Sequence, residues 1–202
     1  EEEIARNFIC FDNPDAVVVV CDATCLERNM NLVLQTMEIS NNVIVCINLM
    51  DEAKRKGISI DTKLISEKLG VPVVSVTARK KKSLVPLLDA LDETEQGEYF
   101  KFKYPEAVED AISEIEPVIK NMGCNINPRW LSLRLLDSDV TLEKEIALRL
   151  GGDFLMSGEL LLAVSKAKGI LDRAGITAEK ISDAVTESLV NTAEEICKES
   201  VK

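Results

Sequence analysis

The sequence predicts an α/β fold, an open parallel sheet followed by a small all-helical domain. Three observations predict it. Continuous runs of β-branched residues recur in the first half. Amphipathic stretches at helical spacing separate them, the alternation of strands joined by right-handed helical crossovers. After Gly97 the strand-like runs stop and every periodic stretch is helical. The boundary leaves residues 1–97 as the α/β part and 98–202 as the helical part.

The elements follow in order. Ala16–Cys21 is an unbroken apolar run, which suits a strand buried on both faces. Leu26–Ser40 carries Met30, Val33, Leu34 and Met37 on one helical face, and Asn41-Asn42 stops it. Val43–Asn48 is a second buried strand. Asp61 caps a helix through Leu69, and Gly70 ends it. Val71–Ser75 is a third, short strand, and Ser83 starts a helix whose first turn tolerates Pro86. Tyr99–Tyr104 alternates like a short strand or an extended linker. Helices are then predicted from Pro105 to about Met122, over Pro128–Asp137, and from a Thr141 cap to Leu150 before Gly151-Gly152. Two more run from a Ser157 cap to about Ala174 and from a Thr177 cap to about Lys198.

Composition excludes several chemistries. The chain of 202 residues holds no histidine, which removes imidazole acid–base catalysis, Ser-His-Asp triads and His-based zinc sites. The net charge of -11 is spread evenly, -5 before Gly97 and -6 after it, so no nucleic acid is expected as a partner. Six cysteines are too few and too scattered for a disulfide framework. Cys21 and Cys46 lie inside apolar runs and read as buried thiols, and Cys21-x-x-x-Cys25 alone is a poor metal motif. A reducing, cytoplasmic setting fits this usage. No apolar run reaches the ~18 residues that span a bilayer.

In open parallel sheets ligands sit beyond the carboxyl ends of the strands. Those ends here carry Asp22-Ala23-Thr24, Asn48-Leu49-Met50-Asp51 and Val76-Thr77-Ala78-Arg79. A carboxylate can accept from guanine's ring N–H and exocyclic amine together, and adenine lacks that donor pair. A nearby side-chain amide suits the carbonyl and ring-nitrogen edge. Asn48 and Asp51 supply both groups, and the small residues Thr77 and Ala78 let backbone amides approach the guanine carbonyl. Asn-x-x-Asp alone also fits a surface turn; its place after a parallel strand, beside the Thr77-Ala78-Arg79 turn, favours guanine.

These residues also resemble a known family. Asp22–Gln35, the Asn48–Asp51 motif with Leu-Met in its middle, and Thr77-Ala78-Arg79 are similar to the cytosolic GTPase region of ferrous iron transport protein B. Arg129–Asp139 resembles the helical domain that follows it in that family, and Glu1–Phe8 resembles the tail of a second switch region. The resemblance covers nearly the whole chain. It implies part of a Ras-like, P-loop GTPase-type sheet over 1–97 and a helical spacer, likened to a dissociation inhibitor, over 98–202. It assigns guanine recognition to Asn48, Asp51, Thr77, Ala78 and Arg79, with no catalytic residue and no metal ligand among these 202. GTP and GDP are the implied ligands. Mg²⁺ is implied for the intact family member, with room for K⁺, but their ligands are not in this sequence. The implied partners are guanine nucleotide and the membrane domain of the same transporter, with room for a homo-oligomer, on the cytoplasmic side of the inner membrane.

The departure from the family pattern is large. No Gly-x-x-x-x-Gly-Lys-[Ser/Thr] loop occurs, and residues 1–97 hold only Gly57, Gly70 and Gly97. The chain therefore reads as the second half of a G domain plus the helical domain, the first half truncated, cleaved or left outside this numbering. An apolar first strand without its neighbour would also have an open edge. Weak or no GTP binding, and no measurable hydrolysis, are expected of these residues alone. The rival reading is a non-catalytic interaction module whose α/β part is only scaffold. Lys80-Lys81-Lys82 reads as a solvated loop, and Asp137, Asp139, Glu143 and Glu145 as a solvated acidic face.

Overall fold

Val43–Asn48 (β2) is the central strand of a three-stranded parallel sheet in the order β1-β2-β3. The computed structural model describes residues 2–93, 97–137 and 140–202. Its strands are Val17–Asp22 (β1), β2 and Val73–Ser75 (β3), paired so that Val17 lies beside Val43 and Val45 beside Val73. Five of the six β2 residues are buried, as a strand covered on both faces requires. The first strand departs from expectation. Val20 is 59% exposed although Cys21 is buried. β1 is an edge strand with a helix on one face, so alternate residues stay open.

The chain divides into two compact units. One comprises Pro14–Lys101 with Leu189–Lys202, and the other the residues up to Asn13 with Phe102–Ser188. This division differs from the sequence boundary at 97 and 98, because a segment from each end of the chain belongs to the other part's unit.

In the α/β unit, α2 (Leu26–Ile39) packs Met30, Val33 and Leu34 into the core against β1. A six-residue helix, α3 (Met50–Arg55), follows β2. It has no apolar period and buries only Ala53, so the sequence pattern did not reveal it. α4 (Thr62–Leu69) begins where the Asp61 side chain accepts the Leu64 N–H at 3.0 Å, and ends at Gly70 in the left-handed region. β3 starts two residues later than expected. Pro72 has no N–H to give a ladder, and its carbonyl instead accepts from Val45 N at 2.9 Å. A 3₁₀ turn (Lys81–Leu84) leads into α5 (Val85–Glu93). The last residues of the chain return to this unit: Ser59 and Lys202 exchange both backbone bonds at 2.7 and 2.8 Å, and Lys68 pairs with Glu199 at 3.0 Å.

The helical unit is built around α6 (Glu106–Met122), which packs against α7 (Pro128–Asp137) and α10 (Gly158–Arg173). Val108, Ala111, Ile112, Ile115 and Ile119 form its buried stripe, the i, i+3, i+4 spacing of a core-facing helix. Trp130, Leu131, Leu135 and Leu136 are buried with it, as their spacing predicts. α1 (Glu2–Phe11), α8 (Val140–Leu150) and α9 (Gly152–Leu155) also belong here, while α11 (Ala178–Ser200) is divided between the units at Ser188. Two expectations shift: Thr141 lies within α8 rather than before it, and Gly151, at φ 91°, precedes a further short helix. Tyr99–Tyr104 forms neither helix nor strand, and Phe102 and Tyr104 are buried.

Candidate functional site

The three strand ends stand side by side at one edge of the sheet. Asp22 pairs with Asn48 in register, and Ala23 N donates to Asn48 O at 2.9 Å. Val76 N donates to Ile47 O at 2.8 Å, and Met50 N donates to Val76 O at 3.3 Å. Backbone bonds thus tie the Asn48–Asp51 loop to both neighbours before any side chain acts.

Leu49 turns the loop. Its φ of 61° and ψ of 31° lie in the left-handed region, which a leucine occupies at a cost of roughly 1 kcal/mol. That turn directs Asn48 and Asp51 toward the same neighbour. Asn48 Oδ1 accepts from Ala78 N at 3.0 Å, and Asp51 Oδ2 accepts from Arg79 Nη2. The structure therefore brings all five sequence-derived residues, Asn48, Asp51, Thr77, Ala78 and Arg79, into one cluster.

Two details differ from the sequence reading. The Ala78 amide is directed at Asn48, and Thr77 N donates to Ser83 Oγ at 3.0 Å, so neither N–H is left open toward a base carbonyl. Lys80 N is also engaged, by Thr77 O at 2.7 Å, which leaves the Arg79 N–H as the remaining backbone donor of the turn. Because Asn48 spends its oxygen on Ala78, its amide N–H₂ is the end that can face an acceptor.

Ser83 is the residue that sequence reasoning missed. Expected only to start a helix, its hydroxyl lies 2.7 Å from Thr77 O and 2.8 Å from Lys80 O while accepting the Thr77 N–H. It folds the turn back on itself and fixes the backbone that carries Ala78 and Arg79. The signal was a small hydroxyl residue four positions after a turn arginine, too common to stand out.

The electrostatics are uneven. Asp51 is 20% exposed at its side chain and Arg79 66%. Asp51 Oδ1 is buried without a hydrogen-bond partner, a costly state for an acceptor unless a ligand supplies the donor. Asp22, at the adjoining strand end, has its carboxyl held below the usual range, first by the Thr24 N–H it accepts at 2.7 Å. It braces the turn after β1.

Other candidates fall away. Burial pushes the Cys21 and Cys10 thiols up to about 12 and raises Cys46, so none is a thiolate at neutral pH. Cys25 is exposed and its sulfur lies 3.7 Å from Asn29 Nδ2. In the helical unit a cavity of about 340 Å³ is lined by Cys10, Phe11, Cys124 and Arg149. Its arginine is committed to Asp12 at 3.4 Å and lies over the Phe11 ring. Asp137 departs from the solvated face expected of it: its side chain is 9% exposed and pairs with Arg134 at 2.6 Å. Asp139 lies outside the described residues. Among the described residues no group of three or more Cys, Asp or Glu is placed to hold a metal ion, and no helix is long and apolar enough to cross a membrane.

Comparison with known proteins completes the description. Residues 1–91 match a family model described as ferrous iron transport protein B, and residues 104–202 match one described as the FeoB cytosolic helical domain. The Fe(2+) transporter FeoB of Escherichia coli K12 is 29% identical over 143 residues, 69% of this chain and 18% of that protein. That of Campylobacter jejuni is 36% identical over 91 residues, 45% of this chain and 15% of that protein. The chain spans about a fifth of the length of such curated relatives. Among solved structures, a GDP-bound mutant of S. thermophilus NFeoB superposes with a TM-score of 0.78 at 25% identity, over 100% of this chain and 75% of that one. The cytosolic domain of T. maritima FeoB in its GMPPNP form gives 0.75 at 23% identity, over 100% of this chain and 73% of that one.

Proposed function

We propose a function on one premise: the chain belongs to the ferrous iron transport protein B family. Residues 1–97 hold the base-recognition part of a G domain and residues 98–202 the helical spacer, with the residues up to Asn13 and Leu189–Lys202 each packed in the other part's unit. Asp51 takes the ring N–H and exocyclic amine of guanine, the Asn48 amide faces the ring-nitrogen edge, and the Thr77–Arg79 turn frames the carbonyl side. The whole transporter binds and hydrolyses GTP at the cytoplasmic side of the membrane and couples that cycle to Fe(II) uptake through its membrane domain.

The observation that carries this reading is the buried, partnerless Oδ1 of Asp51 beside an oxygen that already takes an arginine N–H. The carboxylate stands ready for a two-donor edge with one seat empty. GDP in the solved relative supports the same ligand class.

The chemistry of these residues is recognition. A base held by Asp51 is oriented by its donor edge. Charge stabilisation of phosphoryl transfer needs a phosphate cradle and Mg²⁺, and among the described residues no group of three or more Cys, Asp or Glu is placed to hold a metal ion. These 202 residues alone bind GDP weakly and do not hydrolyse GTP.

Asp51→Asn tests the reading. The amide exchanges an acceptor for a donor, which rejects guanine's amine and suits the carbonyl of xanthine. GDP affinity should fall about 10- to 100-fold, the value of a charge-assisted bond pair, while XDP affinity rises. Unchanged GDP binding in Asp51→Asn would leave the α/β unit a scaffold and favour the non-catalytic reading.

A further inference from the structure

We infer that Arg79 is an internal stand-in for the guanine base, occupying its acceptor when the site is empty and stepping aside when nucleotide binds. The inference rests on the guanine reading of Asp51 above. Arg79 Nη2 donates to Asp51 Oδ2. A guanidinium presents parallel N–H donors on a planar edge, and guanine presents the same pattern through its ring N–H and exocyclic amine. Two groups with one donor pattern compete for one carboxylate.

The geometry makes the exchange run toward the base. Arg79 engages one oxygen of Asp51 and leaves Oδ1 buried and unpartnered. Guanine engages both oxygens, so its arrival satisfies an acceptor that the arginine leaves open. Arg79 is 66% exposed at its side chain, so it returns to water at little loss, while Asp51 at 20% does not move out with it. Arg79 also sits in the turn that Asn48 and Ser83 fix, so its backbone stays in place while its side chain swings. When nucleotide leaves, the guanidinium is one side chain away and compensates the half-buried carboxylate at once. Arg79 thereby lowers affinity for guanine nucleotide and speeds its release.

The test titrates GDP against the 202-residue chain and its Arg79→Gln and Arg79→Lys variants, following amide NMR shifts of Met50, Ala78 and Arg79's neighbours, at low and high salt. Arg79→Gln should bind GDP about three-fold more tightly at low salt, the range of an exposed ion pair, with Arg79→Lys between it and the parent. High salt screens the competing pair, so the gap should shrink toward unity. Equal or weaker binding by Arg79→Gln overturns the inference; weaker binding would make Arg79 a ligand contact instead. Asp51→Asn separates the two levels. If it shifts preference to XDP while Arg79→Gln changes nothing, the base reading stands and the stand-in falls. If GDP moves no amide in any of these chains, the stand-in falls, because removing the competitor should have opened the clamp, and the base reading is decided by Asp51→Asn in the intact transporter.

Discussion

The two units each hold an arginine on a carboxylate, and the two pairs are built for opposite ends. In the helical unit Arg129 is 18% exposed at its side chain and sits 2.7 Å from Glu109. It also donates to Phe102 O at 2.9 Å and lies over the Tyr104 ring, while Glu109 accepts the Tyr104 N–H at 2.9 Å. Both partners are bonded to the backbone of the 102–104 segment, and those bonds clamp it to α6 and α7. In the α/β unit Arg79 makes one bond from solvent, and Asp51 keeps an oxygen empty. An ion pair bonded into the backbone on both sides is architecture, and one that leaves a buried acceptor open beside a strand end is a place for a ligand. The difference is read from the accounting of hydrogen bonds, since both pairs set an arginine on a carboxylate.

The largest effect that sharpens this contrast comes from the interior on which the helical clamp rests. Trp130 is 4% exposed and lies beneath Arg134, whose guanidinium is 5.8 Å from the ring. Trp130→Ala should cost about 3–5 kcal/mol in urea unfolding, the range for deleting a buried aromatic. A loss below about 1 kcal/mol would mean that the interior around α7 is loosely filled, and the helical unit would no longer be the rigid member of the comparison.

Next in size is the clamp itself. Burial alone would raise the Glu109 carboxyl, but the Arg129 bond, the Tyr104 N–H and the Arg129 charge outweigh it and hold it below the usual glutamate range. A depressed folded value means stability that is fully present above the unfolded glutamate pKa and is lost as pH falls through that value toward the folded one. Glu109→Gln should lower stability by about 1–2 kcal/mol at neutral pH, and its deficit should vanish as the medium is acidified. Arg79→Gln, measured the same way, should move stability by less than about 0.5 kcal/mol. Parallel acid titration curves for parent and Glu109→Gln would erase the distinction between the two arginines.

Much of this arrangement was legible in the residues, for reasons that can be named. Long apolar runs and helical stripes mark β1, β2, α2 and α6 because burial on one or two faces dictates their period. Asn48 and Asp51 were legible as a pair because strand-end position and donor–acceptor chemistry coincide. What stayed hidden was decided by contacts distant in sequence. Short α3 buries one alanine and has no period to read. Ser83 acts through a turn six residues back, and Asn48 through an amide thirty residues on. The assignment of Leu189–Lys202 to the α/β unit was hidden because α11 runs past Ser188 with no break in its sequence. The exposure of Val20 depends on which strand lies beside β1, a fact of assembly that no local pattern encodes.

A further effect, smaller than the loss expected at Trp130, tests whether the α/β site is only as firm as the elements behind it. α4 lies against β3, whose three residues end at the Val76–Arg79 turn. Asp61 caps α4 through the Leu64 N–H, and its own N–H is held by Ser200 O at 2.8 Å, so the cap is anchored on both sides. Asp61→Ala keeps the backbone bond and removes only the side-chain acceptor. It should cost about 1 kcal/mol, typical of a lost N-cap. If β3 draws its order from α4, hydrogen exchange at Val76 and Ala78 should quicken in Asp61→Ala while that at Ile115, in the helical interior, stays unchanged. Equal quickening at Ile115 would mean that the chain opens as one cooperative body, and the exchangeable pair at Asp51 would then owe nothing to local looseness in its own unit.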